Sequence, residues 1–161
     1  MKVIIYPYIP SGRSIQYVSA EDRFMQAARE YALANSLDEA VKTGSVVVKN
    51  DMIVGQGANG SRYHSENVCE RVKLGIPTGE RYELCEGCHP KNHSEPRAIA
   101  DAKDRGFNLA DADLYLWGHW WACESCWSKI AAAGITNVYL LENSENLFNK
   151  SHPGNILGDW D

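Results

Sequence analysis

Five cysteines in 161 residues, four of them in two Cys-x-x-Cys pairs with histidines close by, constrain this chain more than any other feature. They are Cys69, Cys85, Cys88, Cys123 and Cys126, with His64, His89, His93 and His119 among or near them and only His152 remote. A disulfide framework is a poor use of an odd number of thiols, and the Lys2-led start lacks the length and small-residue cleavage pattern of a secretory signal. The expected setting is therefore the reducing cytoplasm, with the cysteines serving a metal or catalysis.

Composition narrows the class further. Hydrophobic residues make up 44%, enough for one core, and the length suits one domain. No apolar run approaches the ~18 residues of a membrane span. Acidic residues outnumber basic ones by 21 to 16, for a formal charge of -5, which opposes sequence-independent binding to nucleic acid. The basic residues Arg62, Arg71, Lys73 and Arg81 are interspersed with Glu66, Glu70, Glu80, Glu83 and Glu86, and read as a mixed-charge surface.

Along the chain, Val3 to Tyr6 reads as an opening strand. Ser19 to Asp22 has capping-box form ahead of a helix whose apolar face carries Phe24, Ala27, Ala28, Tyr31 and Ala32. Ser45 to Lys49 and Met52 to Gln56 form a hairpin across Asn50-Asp51. A long aperiodic connection holding three cysteines follows. Beyond it come a helix from about Ser94 to Arg105 ended by Gly106, a strand at Leu114 to Trp117, a helix from near Cys123 to Gly134, and a strand at Val138 to Leu141. This alternation predicts an α/β sandwich with helices covering a sheet. One domain over 1–161 is expected, with a metal-stabilised insert at about 61–92 and a short irregular tail at about 143–161.

Two of the helix starts carry the chemistry. His93-Ser94-Glu95 opens one and Cys123-Glu-Ser-Cys126 the other. Helix N-termini favour thiolate over thiol, and a spacing of three places both sulfurs one turn apart on one face, where they can share an ion. His93 supplies a nitrogen, giving three protein ligands and an open fourth position, the pattern of a catalytic zinc. Glu95, beside it, is the candidate general acid and base: zinc acidifies water, and a carboxylate carries the proton to a leaving nitrogen. An H-x-E followed by C-x-x-C is the set found in zinc deaminases. The competing use is a structural module of Cys85, Cys88, Cys123 and Cys126. It leaves His93 and Glu95 unexplained, and the 34 residues at 89–122 exceed the roughly 15–20 common in zinc ribbons.

On these residues the sequence resembles the cytidine/deoxycytidylate deaminase superfamily, and within it the deoxycytidylate (dCMP) deaminases. Ser45 to Gly60 is similar to the family's strand-turn-strand segment, with its Gly-x-Asn-Gly loop at the substrate sugar. Cys69 to Cys85, with a Pro-x-Gly-Glu-Arg-Tyr core at Pro77 to Tyr82, resembles the insert of dCMP deaminases. The resemblance implies a three-layer α/β/α sandwich with a mixed central sheet, a homo-oligomer (dimer or hexamer), and hydrolysis of dCMP to dUMP and ammonia. It assigns the catalytic zinc to His93, Cys123 and Cys126, proton transfer to Glu95, and the sugar contact to Asn59. Ser94, Arg97, Trp121 and Ala122, adjoining these motifs, are the further candidate substrate contacts. The chain departs from the family at Pro96-Arg97, at Ala122 where a Pro is usual, at Trp120-Trp121, and in about four extra residues between Cys85 and His93.

A second, structural zinc is expected from Cys69, Cys85, Cys88 and one of His64 or His89, pinning a loop that has little apolar material of its own. Arg97 either faces a phosphate or pairs with Asp101. Trp120 and Trp121 either flank a base or pack in the core. His119, four residues before Cys123, either touches the pocket or lies on the surface, the surface being the favoured reading, and Arg62, Arg81 or Arg97 would draw in an anionic nucleotide. Two alternatives stay open: the same chemistry on a nucleoside, a pterin-like ring or a base in nucleic acid, and a catalytically silent zinc-stabilised binding module.

Overall fold

The computed structural model describes residues 5–77 and 79–157. Its elements run β1 (Ser14–Val18), α1 (Arg23–Asn35), β2 (Gly44–Lys49), β3 (Met52–Ala58), α2 (Tyr63–Glu66) and α3 (Glu70–Lys73). Two single 3-10 turns follow at Tyr82–Leu84 and Pro90–Asn92, then α4 (Ser94–Asp104), β4 (Asp113–Trp117), α5 (Glu124–Ala132), β5 (Asn137–Leu141) and α6 (Ser144–Phe148). The sheet order is β1-β5-β4-β2-β3, with β1, β5 and β4 parallel and β2 antiparallel to both β4 and β3.

Strand alternation divides the core into two. Val46, Val48, Tyr115, Trp117 and Leu141 face α1, where they meet Phe24, Met25, Ala28 and Ala32. Val47, Leu114, Leu116, Val138 and Leu140 face the other way, against Ala98, Ile99 and Ala102 of α4 and Trp127 and Ile130 of α5. The inner strands β2, β4 and β5 thus bury both faces, which a layer of helix on each side permits. The expected three-layer sandwich with a mixed sheet is the observed one.

Local signals account for most boundaries. Asn50 and Asp51 both take positive φ, 51° and 64°, as a two-residue turn twisted to match its strands requires. Gly106 and Gly134, at φ 87° and 88°, follow the ends of α4 and α5. At α1 the cap is Asp22, whose carboxylate accepts from Phe24 N and Met25 N at 3.0 and 2.9 Å, in place of Ser19. The opening strand is also revised. Val3 and Ile4 lie outside the described residues, Ile5 and Tyr6 are not in a strand, and the first strand among the described residues is β1, paired in parallel with β5 at the sheet edge. Among its described residues the tail contains one short helix, α6, whose Phe148 packs edge-on against Trp117 at 5.2 Å.

Close packing also positions the site. A Cβ on Gly57 would fall 2.4 Å from both Ala98 N and Ser94 O, so the backbone of α4 lies directly on β3. That contact holds the first turn of α4, with His93 as its cap residue, against the sheet.

Candidate active site and metal centres

The starts of α4 and α5 converge at the carboxyl side of the parallel strands. His93 caps α4, and Cys123 caps α5 with its sulfur accepting from Cys126 N at 3.4 Å. His93 Nδ1 lies 3.3 Å from Cys126 Sγ and 3.6 Å from Cys123 Sγ, and the two sulfurs are 3.3 Å apart. For zinc bound at ordinary Zn–S and Zn–N lengths, the edges of a tetrahedron are about 3.5–3.8 Å. The trio approaches that geometry.

Its protonation chemistry suits a cation too. The Cys126 thiol beside Cys123, aided by His93, pulls the Cys123 pKa down to about 4, against the effect of burial. Cys126 is pushed up by the same bond and by burial. One sulfur is therefore a ready thiolate, while a second negative sulfur 3.3 Å away needs a positive ion to offset the repulsion.

Glu95 is 5% exposed, in the first turn of α4. Burial raises its pKa, opposed by His93, and the Ser94 hydroxyl donates to Oε2 at 3.3 Å. A carboxyl held above its usual range is suited to taking and returning a proton near neutral pH. Glu95, His93 and Cys123 border a cavity of about 760 Å³, a volume suited to a small ligand, and Asn59, His119 and Trp121 form further parts of its wall.

His64, Cys69, Cys85 and Cys88 form a second cluster, their ligand atoms within 4.8 Å of one another. His64 Nε2 stands 3.2 Å from Cys85 Sγ and 3.9 Å from Cys88 Sγ, and Cys69 Sγ lies 3.5 Å from Cys88 Sγ. Of the two candidate histidines the structure brings in His64. His89 instead caps the 3-10 turn at Pro90–Asn92, its Nδ1 accepting from Lys91 N at 3.1 Å. A Cβ on Gly87 would fall 2.4 Å from His64 Nε2, so glycine is what admits the ring. His64, Cys69 and Cys88 border the same cavity as Glu95.

Several candidate substrate contacts have other work. Ser94 is fully buried, its hydroxyl 2.8 Å from Ser45 Oγ across to β2, and it does not border the cavity. Arg97 neither faces the cavity nor pairs with Asp101: it donates to Ala58 O at 2.9 Å and Asn92 Oδ1 at 3.1 Å, tying β3 to the turn before α4. Ala122 is buried in the core. Trp121 packs with the core and borders the cavity at once. Asn59 is at the wall with most of its amide engaged. Oδ1 accepts from Ser36 Oγ and Thr43 N at 2.6 and 2.8 Å, and Nδ2 donates to Val41 O at 2.7 Å. It braces the 36–43 loop, leaving one Nδ2 hydrogen.

Three further residues, none of them among the expected site residues, also line the cavity. His119 is in the wall, and the lining cations are Arg71 and Lys150 in place of Arg62, Arg81 or Arg97. Arg71 holds the insert together, donating to Pro77 O and Glu80 O at 2.6 and 2.8 Å with its guanidinium over the Tyr82 ring. The folded path of the insert places Arg71 here, the tail places Lys150, and the turn between β4 and α5 places His119.

The family model for the cytidine and deoxycytidylate deaminase zinc-binding region matches residues 18–142. The chain belongs to this family. No curated protein sequence matches it. Among solved structures, this deaminase-family chain is similar to the dCMP deaminase of cyanophage S-TIM5 in apo form, with 22% identity, a TM-score of 0.50, and 79% of this chain and 87% of the other covered. The same phage enzyme in complex with dCMP and dUMP gives 22% identity, a TM-score of 0.51, and 76% and 82% coverage. These likenesses are of fold. Both clusters suit the family's metal, and no helix among the described residues is long and apolar enough to cross a membrane.

Proposed function

We propose that this chain is a zinc-dependent hydrolase that converts free dCMP and water to dUMP and ammonia. The observation that carries the reading is the placement of buried Glu95 beside the His93, Cys123 and Cys126 trio at the wall of a nucleotide-sized cavity. His93, Cys123 and Cys126 hold the catalytic zinc, and His64, Cys69, Cys85 and Cys88 hold a structural one. Zinc at the first centre supplies acidified water and stabilises negative charge that develops on oxygen.

The chain's own groups do the rest. Glu95 takes one proton from water as the water oxygen bonds to ring C4 and delivers it to ring N3; it then moves the remaining proton of that oxygen to the 4-amino nitrogen, so that the C4–N bond breaks, ammonia leaves and C4 keeps the oxygen as a carbonyl. Burial, by raising the Glu95 pKa, brings that proton closer in energy to its acceptors. Trp121 and Tyr82 border the cavity as apolar faces for a ring. Lys150 gives the wall a cation for the phosphate, and the 36–43 loop braced by Asn59 closes the other side. The insert resembling that of dCMP deaminases and the acidic net charge favour a free nucleotide over a polynucleotide. The reading also includes a cytoplasmic homo-oligomer.

Steady-state assays of the zinc-loaded protein on dCMP, deoxycytidine, adenosine monophosphate and single-stranded DNA test the substrate. Turnover of dCMP well above the others is expected, and turnover of DNA alone would overturn the free-nucleotide reading.

A further inference from the structure

His119 is the one cavity-wall histidine outside both metal clusters, and its ring is fixed in an unusual way. Its Nδ1 accepts from two backbone groups, Trp120 N at 2.9 Å and Trp121 N at 3.2 Å. A ring nitrogen that accepts carries no hydrogen, so the neutral ring bears its hydrogen on Nε2. Among the described residues Nε2 has no hydrogen-bond partner, nor is it an enclosed unsatisfied atom. The ring is held edge-on to Trp121, with centroids 4.4 Å apart and planes at 78°. Burial lowers its pKa to about 3, so it stays neutral across the physiological range. The wall therefore presents a rigid donor that has no acceptor of its own.

The chemistry of the proposed reaction supplies that acceptor. When the amine-bearing carbon of a cytosine ring faces the trio and N3 faces Glu95, the remaining polar group of the ring is its 2-oxo oxygen. An adenine ring presented the same way has a C–H at that position. It would leave the Nε2–H desolvated and unpaired, which costs about 10- to 100-fold in binding.

We propose that His119 is a substrate-binding specificity residue, its Nε2–H donating to the 2-oxo oxygen of a cytosine-type ring. The inference rests on the deaminase reading of the Glu95 site and deepens it by assigning the group that tells a pyrimidine from a purine. It explains why a histidine stands in the turn before Cys123, and why two backbone donors are spent on one of its nitrogens.

The test pairs a residue change with an atom change. Wild-type, His119→Phe and His119→Gln proteins are assayed on dCMP and on 2-thio-dCMP, whose sulfur is a poor acceptor. Wild type should prefer the oxo ring by about tenfold or more in kcat/KM. His119→Phe should lose that preference, and His119→Gln, which keeps an N–H donor, should retain part of it. In 15N NMR of the wild-type protein, the ring should show a bare Nδ1 and a protonated Nε2, and the Nε2–H signal should move on adding dUMP. An undiminished oxo preference in a folded His119→Phe protein, or an Nε2–H signal that dUMP leaves in place, would overturn this inference while the deaminase reading stands. A wild-type protein inactive on dCMP would overturn both.

Discussion

At the scale of single residues, Glu95 and Cys123 show how one local environment sets two opposite acidities. Both sit at the start of a helix and both are buried, yet the carboxyl is pushed up and the thiol down. Burial leads for Glu95, whereas the Cys126 bond and His93 outweigh it for Cys123. The result is a proton carrier beside a ready thiolate. Replacing the carboxyl with an isosteric amide should remove the carrier and spare the ligands. Glu95→Gln is expected to lower kcat by about 10²- to 10⁴-fold with zinc content by elemental analysis unchanged. A variant that keeps wild-type kcat would remove Glu95 from proton transfer. The trio and Glu95 were legible in the sequence because each motif is short and opens a helix, so spacing aligns the side chains within each motif, and the two motifs together are the set found in zinc deaminases. His119 was not, because its place in the wall depends on the turn that hands Trp120 N and Trp121 N to its ring. Arg97 was misread for a similar reason: its partners, Ala58 O and Asn92 Oδ1, lie on other segments.

At the scale of elements, α4 depends on glycine beneath it. Gly57→Ala would force the helix backbone away from β3, since the added carbon falls 2.4 Å from Ala98 N and Ser94 O. Overpacking of this kind should cost about 1–3 kcal/mol of stability, and chemical denaturation would measure it; a neutral result would mean that α4 does not lie so tightly on the strand. The insert is held differently, by polar and metal contacts. Glu70, Glu83 and Glu86 all have lowered pKa values, through Tyr63, Arg81 and Lys91 respectively. A carboxylate depressed in the folded state stabilises it above the unfolded pKa, near 4.3, and that contribution fades as pH falls through the folded values. The expected outcome is that hydrogen exchange within 61–92 accelerates below about pH 4 before the sheet loosens. Chelating the metal at neutral pH should produce the same selective loosening; equal protection of insert and sheet in both experiments would contradict it. Hairpin and helix ends were legible from Asn50-Asp51, Gly106 and Gly134. The edge strand β1 was not, since its partner β5 is more than a hundred residues away and its own pattern is short. Five-residue α6 is equally dependent on its contact with Trp117.

At the scale of the whole molecule, one cavity joins segments that are far apart in sequence. The 36–43 loop, the insert, the starts of α4 and α5, and Lys150 after α6 all border it. Lys150 lies beyond residues 18–142, where the family match ends, so this chain's tail adds a charge to a shared core. Lys150→Ala should raise KM for dCMP by about tenfold, the loss expected of one charge-assisted hydrogen bond, and leave deoxycytidine kinetics unchanged. An equal change for both would separate Lys150 from the phosphate. The negative net charge makes such a local cation necessary for an anionic ligand.

The most direct test of the central claim is the fate of dCMP with zinc-loaded wild-type and Glu95→Gln proteins, followed by ammonia release and by the loss of cytosine absorbance. Stoichiometric formation of dUMP and ammonia by the wild type, slowed by about 10²- to 10⁴-fold in the zinc-replete variant, is the predicted result. No dUMP from the wild type, or the same rate from both proteins, would contradict it.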